Sequence, residues 1–217
     1  MKDIQKTNYD ITNIAHSAIL RIAHRGIKNR ENTISGISKA NKTMYMVEFD
    51  VRYNTNRQII LCHDREDRNI SDNETLEELC KIDDPMNLMV DIKAFGIEPA
   101  TQIADDVYAI IHKYPQHEYY LCSFNEFCVK RLLDLREESK RIYKIGVISS
   151  GVPISMFDHL INVDFISLDY NIICEEIVEL FHKKGKIVFA WTVNALYMQD
   201  YVVNTCNVDG IIYDIFN

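Results

Sequence analysis

Apolar positions along the chain fall into two alternating patterns. Short β-rich runs stand at Ile19–Ala23, Met46–Val51, Ile59–Cys62, Leu88–Ile92, Tyr119–Cys122, Lys144–Ile148, Phe165–Leu168, Ile187–Trp191 and Gly210–Tyr213. Between them, apolar residues recur every three or four positions. This spacing predicts helices over Thr33–Lys42, Glu74–Lys81, Pro99–Lys113, Glu126–Glu138, Glu175–Lys184 and Leu196–Asn204. Gly185 follows Lys183-Lys184 as a C-terminal cap should.

Nine strands are one too many for an eight-fold barrel, and the connections decide which is extra. Only seven residues separate Val51 from Ile59, among them the turn formers Asn54-Thr55-Asn56-Arg57. A parallel crossover needs about a dozen or more, so Ile59–Cys62 is expected to return antiparallel as the second arm of a hairpin. Removing it leaves eight strands, nearly all separated by helix-length segments. That predicts an α/β fold, a (β/α)₈ TIM barrel with a β-hairpin after strand two at the C-terminal mouth. A doubly wound open sheet is the alternative.

At 217 residues, one to two domains of about 150 residues would fit. Residues 1–217 are read as a single barrel domain with 1–17 as an N-terminal lead-in. Hydrophobic residues make up 47% and charged residues 26%, which excludes a disordered or fibrous chain, and 7 Gly and 4 Pro leave no flexible linker. The net charge of −8 argues against nucleic-acid binding, which rests on neutralising phosphates with Lys and Arg. It is compatible with a small phosphate ligand held by one or two cations. No apolar window reaches the ~18 residues of a membrane span, and no signal-peptide core precedes His24. The chain therefore reads as cytoplasmic, without stable membrane insertion. Its six cysteines form no C-x-x-C pair and read as small buried hydrophobes in a reducing compartment. Nothing in the sequence sets an oligomeric state.

The chemistry concentrates on two strands. In Met46-Val47-Glu48-Phe49-Asp50-Val51, alternation puts Glu48 and Asp50 on one face and Val47, Phe49 and Val51 on the other. Two acids on an otherwise apolar strand are costly to bury unless something positive lies between them. The pattern recurs in Leu88–Lys93, where Asp91 and Lys93 share a face at the strand's C-terminal end. Glu48, Asp50 and Asp91 would suit one hard divalent cation, Mg²⁺ or Ca²⁺. Lys93 would add positive charge toward an anionic substrate, or pair with Asp91.

His24 ends the first strand and His63 ends the hairpin's return arm. A turn centred between Thr55 and Asn56 sets Leu61 opposite Asp50 and His63 opposite Glu48. Two histidines converging on a carboxylate cluster suggest a general acid/base pair. His16, His112, His117, His159 and His182 receive no role. Glu31-Asn32-Thr33 opens the first helix, with Asn32 or Thr33 as the cap and Glu31 and Asn32 within reach of the mouth. Trp191, in Trp191-Thr192-Val193-Asn194, is either core packing or a wall for the organic part of a substrate.

These residues resemble the glycerophosphodiester phosphodiesterases. The matching segments are HRG at His24–Gly26, ENT at Glu31–Thr33, EFDV at Glu48–Val51, HD at His63–Asp64, VDIK at Val90–Lys93, SF at Ser123–Phe124, WTVN at Trp191–Asn194 and VDGIIYD at Val208–Asp214. The resemblance implies a barrel enzyme of lipid metabolism that uses a divalent cation, Mn²⁺ included. It would cleave deacylated phospholipids to glycerol 3-phosphate and an alcohol. By position, His24 and His63 would be the acid/base pair, Glu48, Asp50 and Asp91 the metal ligands, and Arg25 and Lys93 the phosphate contacts. Glu31, Asn32, Ser123, Trp191 and Asn194 would line the substrate pocket.

Three departures stand out. Asp91 replaces the family's usual Glu, as in the related sphingomyelinase D toxins. Only Arg65–Asn87 fills the gap where the family commonly has a long insertion, and Arg30 replaces a Pro. The competing expectations are phospholipase D-like cleavage of lysolipids or sphingolipids, and a non-catalytic barrel that binds a metal or a phosphodiester.

Overall fold

The computed structural model describes residues 19–65, 67, 73–94, 99–139, 143–151 and 162–216. The expected lead-in 1–17, with His16, and His159 lie outside them. The strands are β1 (Leu20–Ile27), β2 (Met46–Tyr53), β3 (Ile59–Leu61), β4 (Asn87–Ile92), β5 (Glu118–Ser123), β6 (Lys144–Ser149), β7 (Phe165–Asp169), β8 (Ile187–Trp191) and β9 (Gly210–Ile215). Eight of them run parallel in the order β1-β9-β8-β7-β6-β5-β4-β2, and pairing of β1 with β2 closes the ring. The fold is a TIM barrel, and β3 is the antiparallel return arm on β2.

The helices are α1 (Ile34–Asn41), α2 (Leu76–Cys80), α3 (Ala100–Ile111), α4 (Glu126–Ser139), α5 (Glu175–Lys183) and α6 (Leu196–Asp200). Local chemistry sets their ends. Thr33 caps α1 by accepting from the Gly36 amide, and Thr75 with Glu78 forms a capping box on α2. Gly185, at φ +69°, closes α5 in the left-handed conformation that a C-terminal cap requires. The helix expected over Leu196–Asn204 ends early as α6 and continues as a π turn, Tyr201–Thr205.

Alternation along the strands sorts two layers. Val47, Phe49 and Val51 face outward into the core shared with the helices. Ile22, Met46, Met89, Tyr120, Phe165 and Phe189 point inward and plug the barrel floor. Above this plug, toward the C-terminal strand ends, the inward positions become polar. Catalytic groups of barrel enzymes sit at this end. Among the described residues, no helix is long and apolar enough to cross a membrane.

Two expectations need correction. Strand β1 does not end at Ala23. It runs on to Ile27 through a register shift against β9, with Arg25 at φ 55° and Gly26 at φ 85°. A Cβ on Gly26 would stand 2.9 Å from the backbone of Gly36. Gly26→Ala should therefore lose at least about 1 kcal/mol of stability. That is a melting temperature lower by at least about 2–4 °C for a chain this size, and an unchanged melting curve would refute the account.

The hairpin register is also displaced by one residue. Val51 faces Leu61 and Tyr53 faces Ile59, so Asp50 lies across from Cys62, not Leu61. The reason is the turn. The Asn54 side chain accepts from the amides of Asn56 and Gln58, and Arg57 takes φ 59°, making a five-residue loop.

Candidate active site

Glu48 and Asp50 on β2 and Asp91 on β4 turn inward just above the apolar plug. The ladder pairs Asp50 directly with Asp91 and sets Glu48 one layer below. Each offers an oxygen within 4.8 Å of the others, and all three are buried. Two cations thread between them. Lys93 Nζ lies 2.9 Å from Asp50 Oδ1 and 2.5 Å from Asp91 Oδ2. Arg25 donates its backbone amide to Glu48 Oε2 at 3.1 Å, and its Nε stands 3.0 Å from Asp50 Oδ2. The left-handed turn at Arg25 permits both contacts at once.

The histidines approach from two elements. His24 on β1 donates from Nδ1 to Asp214 Oδ1 on the neighbouring β9, at 2.7 Å. Asp214 is braced in turn by Asn194, whose Nδ2 donates to Oδ2 at 3.0 Å and whose Oδ1 accepts the Asp214 amide at 2.8 Å. With Nδ1 committed to a carboxylate, Nε2 is the nitrogen left to face the cavity. His63, two residues beyond β3, has its Nδ1 2.7 Å from Asp64 Oδ1. The one-residue register change leaves His63 on the rim above the acids.

Both rings line a cavity of about 130 Å³ at the barrel mouth, together with Arg25, Lys93 and the three acids. Its other wall is apolar: Met89, Phe124, Ile148, Trp191 and Ile212. Trp191 packs edge-on against Phe124 at 5.6 Å and donates from Nε1 to the Ser167 carbonyl. A second, polar cleft of about 510 Å³ adjoins it and shares Arg25 and His63.

Glu31 lines the polar cleft and pairs with Lys28 at 2.7 Å. Asn32 lines the same cleft and latches the β1–α1 loop to β2. Its Nδ2 donates to Asp50 Oδ2 and its Oδ1 accepts the Asp50 amide, both at 2.9 Å. Ser123 is fully buried and donates to the Ile92 carbonyl, while its neighbour Phe124 reaches the cavity. Asn194 acts on Asp214.

Charge crowding dominates the electrostatics. Burial, and then the charges of Asp50 and Asp91, push the Glu48 carboxyl well above the ordinary range. Burial raises Asp91 to about 6 against the opposing pull of Lys93. Asp50 is as deeply buried, but Lys93 and Arg25 outweigh that and hold it low. Asp91 and Asp50 hold the Lys93 ammonium up despite its desolvation. Burial depresses His24 below its ordinary value, although the bond to Asp214 opposes the shift. Asp91 Oδ1 is buried with no hydrogen-bond partner. An orphaned carboxylate oxygen beside two others is the donor set of a hard cation, so the residues fit one.

The sequence model of the Glycerophosphoryl diester phosphodiesterase family matches residues 73–216. The chain belongs to this family. With it comes membership of the phosphoric diester hydrolases. The matched stretch holds Asp91, Lys93, Asn194 and Asp214, while His24, Glu48, Asp50 and His63 precede it. Similar solved structures carry the same fold at low identity. A protein from Silicibacter pomeroyi DSS-3 named a glycerophosphoryl diester phosphodiesterase superposes with a TM-score of 0.76 at 17% identity, covering 92% of this chain and 91% of that one. An Oleispira antarctica phosphodiesterase in complex with the product sn-glycerol-3-phosphate gives 0.74 at 17%, covering 90% and 92%. A Galdieria sulphuraria protein named a glycerophosphodiester phosphodiesterase gives 0.72 at 18%, covering 91% and 95%. No curated protein matches the sequence.

Sequence reasoning gave Asp214 no role, although it ends the VDGIIYD segment. The signal was available. Ile22 and Ile212 are paired neighbours on adjacent strands, so the next inward positions, His24 and Asp214, face the same space.

Proposed function

We propose that the chain hydrolyses glycerophosphodiesters to glycerol 3-phosphate and an alcohol, with His24 and His63 as its acid/base pair. Glu48, Asp50 and Asp91 would hold one divalent cation, Mg²⁺ or Ca²⁺, with Mn²⁺ also admissible. The observation that carries this reading is the shared cavity: three buried acids, one with an orphaned oxygen, beside two carboxylate-braced imidazoles. A bound cation supplies charge neutralisation at a non-bridging phosphate oxygen.

The chain's own groups do the rest. Arg25 and Lys93, which line the same cavity, would meet the charge that builds on the phosphorus oxygens. His24, kept neutral by burial and oriented by Asp214, accepts the proton of the attacking oxygen at Nε2. His63 borders the polar cleft, where the alcohol departs, and gives its own proton to the leaving oxygen as the P–O bond breaks; exchange with water then takes the proton from His24 and restores the one on His63.

The test is release of glycerol 3-phosphate from glycerophosphocholine in Mg²⁺, Ca²⁺ or Mn²⁺. Turnover that stops on chelation is the expected result, and binding without turnover in every metal would favour the non-catalytic barrel. A second reading, cleavage of lysolipids or sphingolipids, has one observation in its favour. Phe127, Leu196, Tyr197 and Phe216 are exposed and all follow the C-terminal ends of strands, around the mouth. Faster turnover of lysophosphatidylcholine than of glycerophosphocholine would favour it.

A further inference from the structure

The inward face of β2 carries a third charged residue after Glu48 and Asp50. Arg52 is the next position on that face, roughly 7 Å further toward the mouth at about 3.3 Å per residue. It is only 5% exposed. Neither its Nε nor its Nη1 has a hydrogen-bond partner, and both are shut off from solvent.

The two other cations of the mouth are committed differently. Arg25 and Lys93 already lie against Asp50 and Asp91. Arg52 stands beside Lys93, because the Lys93 amide bonds the carbonyl of Val51. Its hairpin partner is Ile60, which brings no charge. Among the described residues no carboxylate pairs with it.

A guanidinium taken out of water with no anion is among the most unfavourable arrangements a core can hold. Such a group is stable when an anion arrives to share its donors, and the planar fork of arginine suits carboxylate and phosphate. The polar cleft lies next to this part of the hairpin. Leu61 and Cys62, which follow the hairpin partner Ile60 on the return arm, both line that cleft.

We infer that Arg52 is an anion-binding residue that receives a second negative group, beyond the scissile phosphate. The ligand class is a phosphodiester whose alcohol bears a carboxylate or phosphate, or a free phosphate ion in the same place. The substrate form of this inference rests on the hydrolase reading above.

Glycerophosphoserine and glycerophosphoethanolamine differ by one carboxylate and form the matched pair of probes. Arg52→Met should lower the serine-to-ethanolamine ratio of kcat/KM by about tenfold or more, the usual size of a lost charged hydrogen bond. If the natural anion is free phosphate, the ratio stays and inhibition by inorganic phosphate weakens instead by a similar factor. Arg52→Met should also melt no lower than the wild type, since no partner among the described residues is stranded.

The inference is overturned if neither the ratio nor phosphate inhibition moves. It is overturned equally if the variant melts far lower, which would mark a structural pair. Should the wild type turn over neither diester, the hydrolase reading fails alone. Calorimetric titration of both proteins with the same two diesters then decides Arg52 by the ratio of affinities.

Discussion

His24→Ala should lower kcat/KM on glycerophosphocholine by about 10²–10⁴-fold, the range for a lost general base. The imidazole is fixed by a chain of bonds from Asn194 through Asp214 to Nδ1, so its loss removes an oriented proton acceptor and not merely a polar group. Asp214→Asn should approach the same loss while leaving the imidazole in place. An amide can donate to Nδ1 and favour the wrong tautomer, which turns the proton-bearing nitrogen toward the cavity.

The pH profile separates the two variants from general damage. Asp214 raises the His24 pKa through its hydrogen bond and its charge, against the larger effect of burial. Removing that carboxylate lowers the pKa further. The acidic limb of kcat/KM should therefore move to lower pH in Asp214→Asn, even as the plateau falls. Wild-type turnover in His24→Ala would remove the residue from the mechanism, and an unmoved acidic limb in Asp214→Asn would remove the coupling.

The second large effect is expected at Asp50. It joins more partners than either other acid, holding Lys93 through one oxygen and Arg25 and Asn32 through the other. Asp50→Asn keeps the shape but strands two cations, one of them deeply buried. Breaking such a pair costs about 3–5 kcal/mol, and Asp91 still compensates Lys93, so the lower end applies. Divalent-cation binding and turnover should be lost together.

Glu48→Gln is the contrast. Burial and the neighbouring acids already disfavour its charged form, so neutralising it should disturb folding far less while still weakening cation binding. The raised acids set a pH dependence as well. A carboxyl whose folded pKa lies above its unfolded value stabilises below the unfolded value and loses that contribution as pH rises through the folded one. For Asp91 this window runs from its ordinary carboxylate value up to about 6. A cation displaces those protons, so adding Mg²⁺ or Ca²⁺ should raise the melting temperature more at pH 7 than at pH 5. Equal shifts at both pH values, or an Asp50→Asn protein that binds the cation normally, would refute the carboxylate site.

Much of the architecture was legible because alternation is a local signal. The acids of β2 and β4 could be assigned to the inward face from their spacing alone, and the seven-residue gap after Val51 was enough to call for a hairpin. What escaped was non-local or conformational. The extension of β1 depends on a left-handed Arg25, which no apolar pattern announces. The hairpin register turned on one asparagine side chain accepting two amides. Asn32 reads as a helix cap in sequence because its bond to Asp50 spans 18 residues. Asp214 reads as the end of an apolar strand until β9 is laid beside β1. Arg52 looks like an ordinary polar hairpin residue until its burial is known.

The bond from Asp214 to His24 crosses the seam where the last strand meets the first. Orientation of the imidazole thus waits for β9, which is made last of the described strands. A nascent chain that has already emitted both histidines and all three acids lacks the Asp214 brace on His24 until the seam shuts. If His24 acts as proposed, turnover reports closure of the barrel between its first and last described strands.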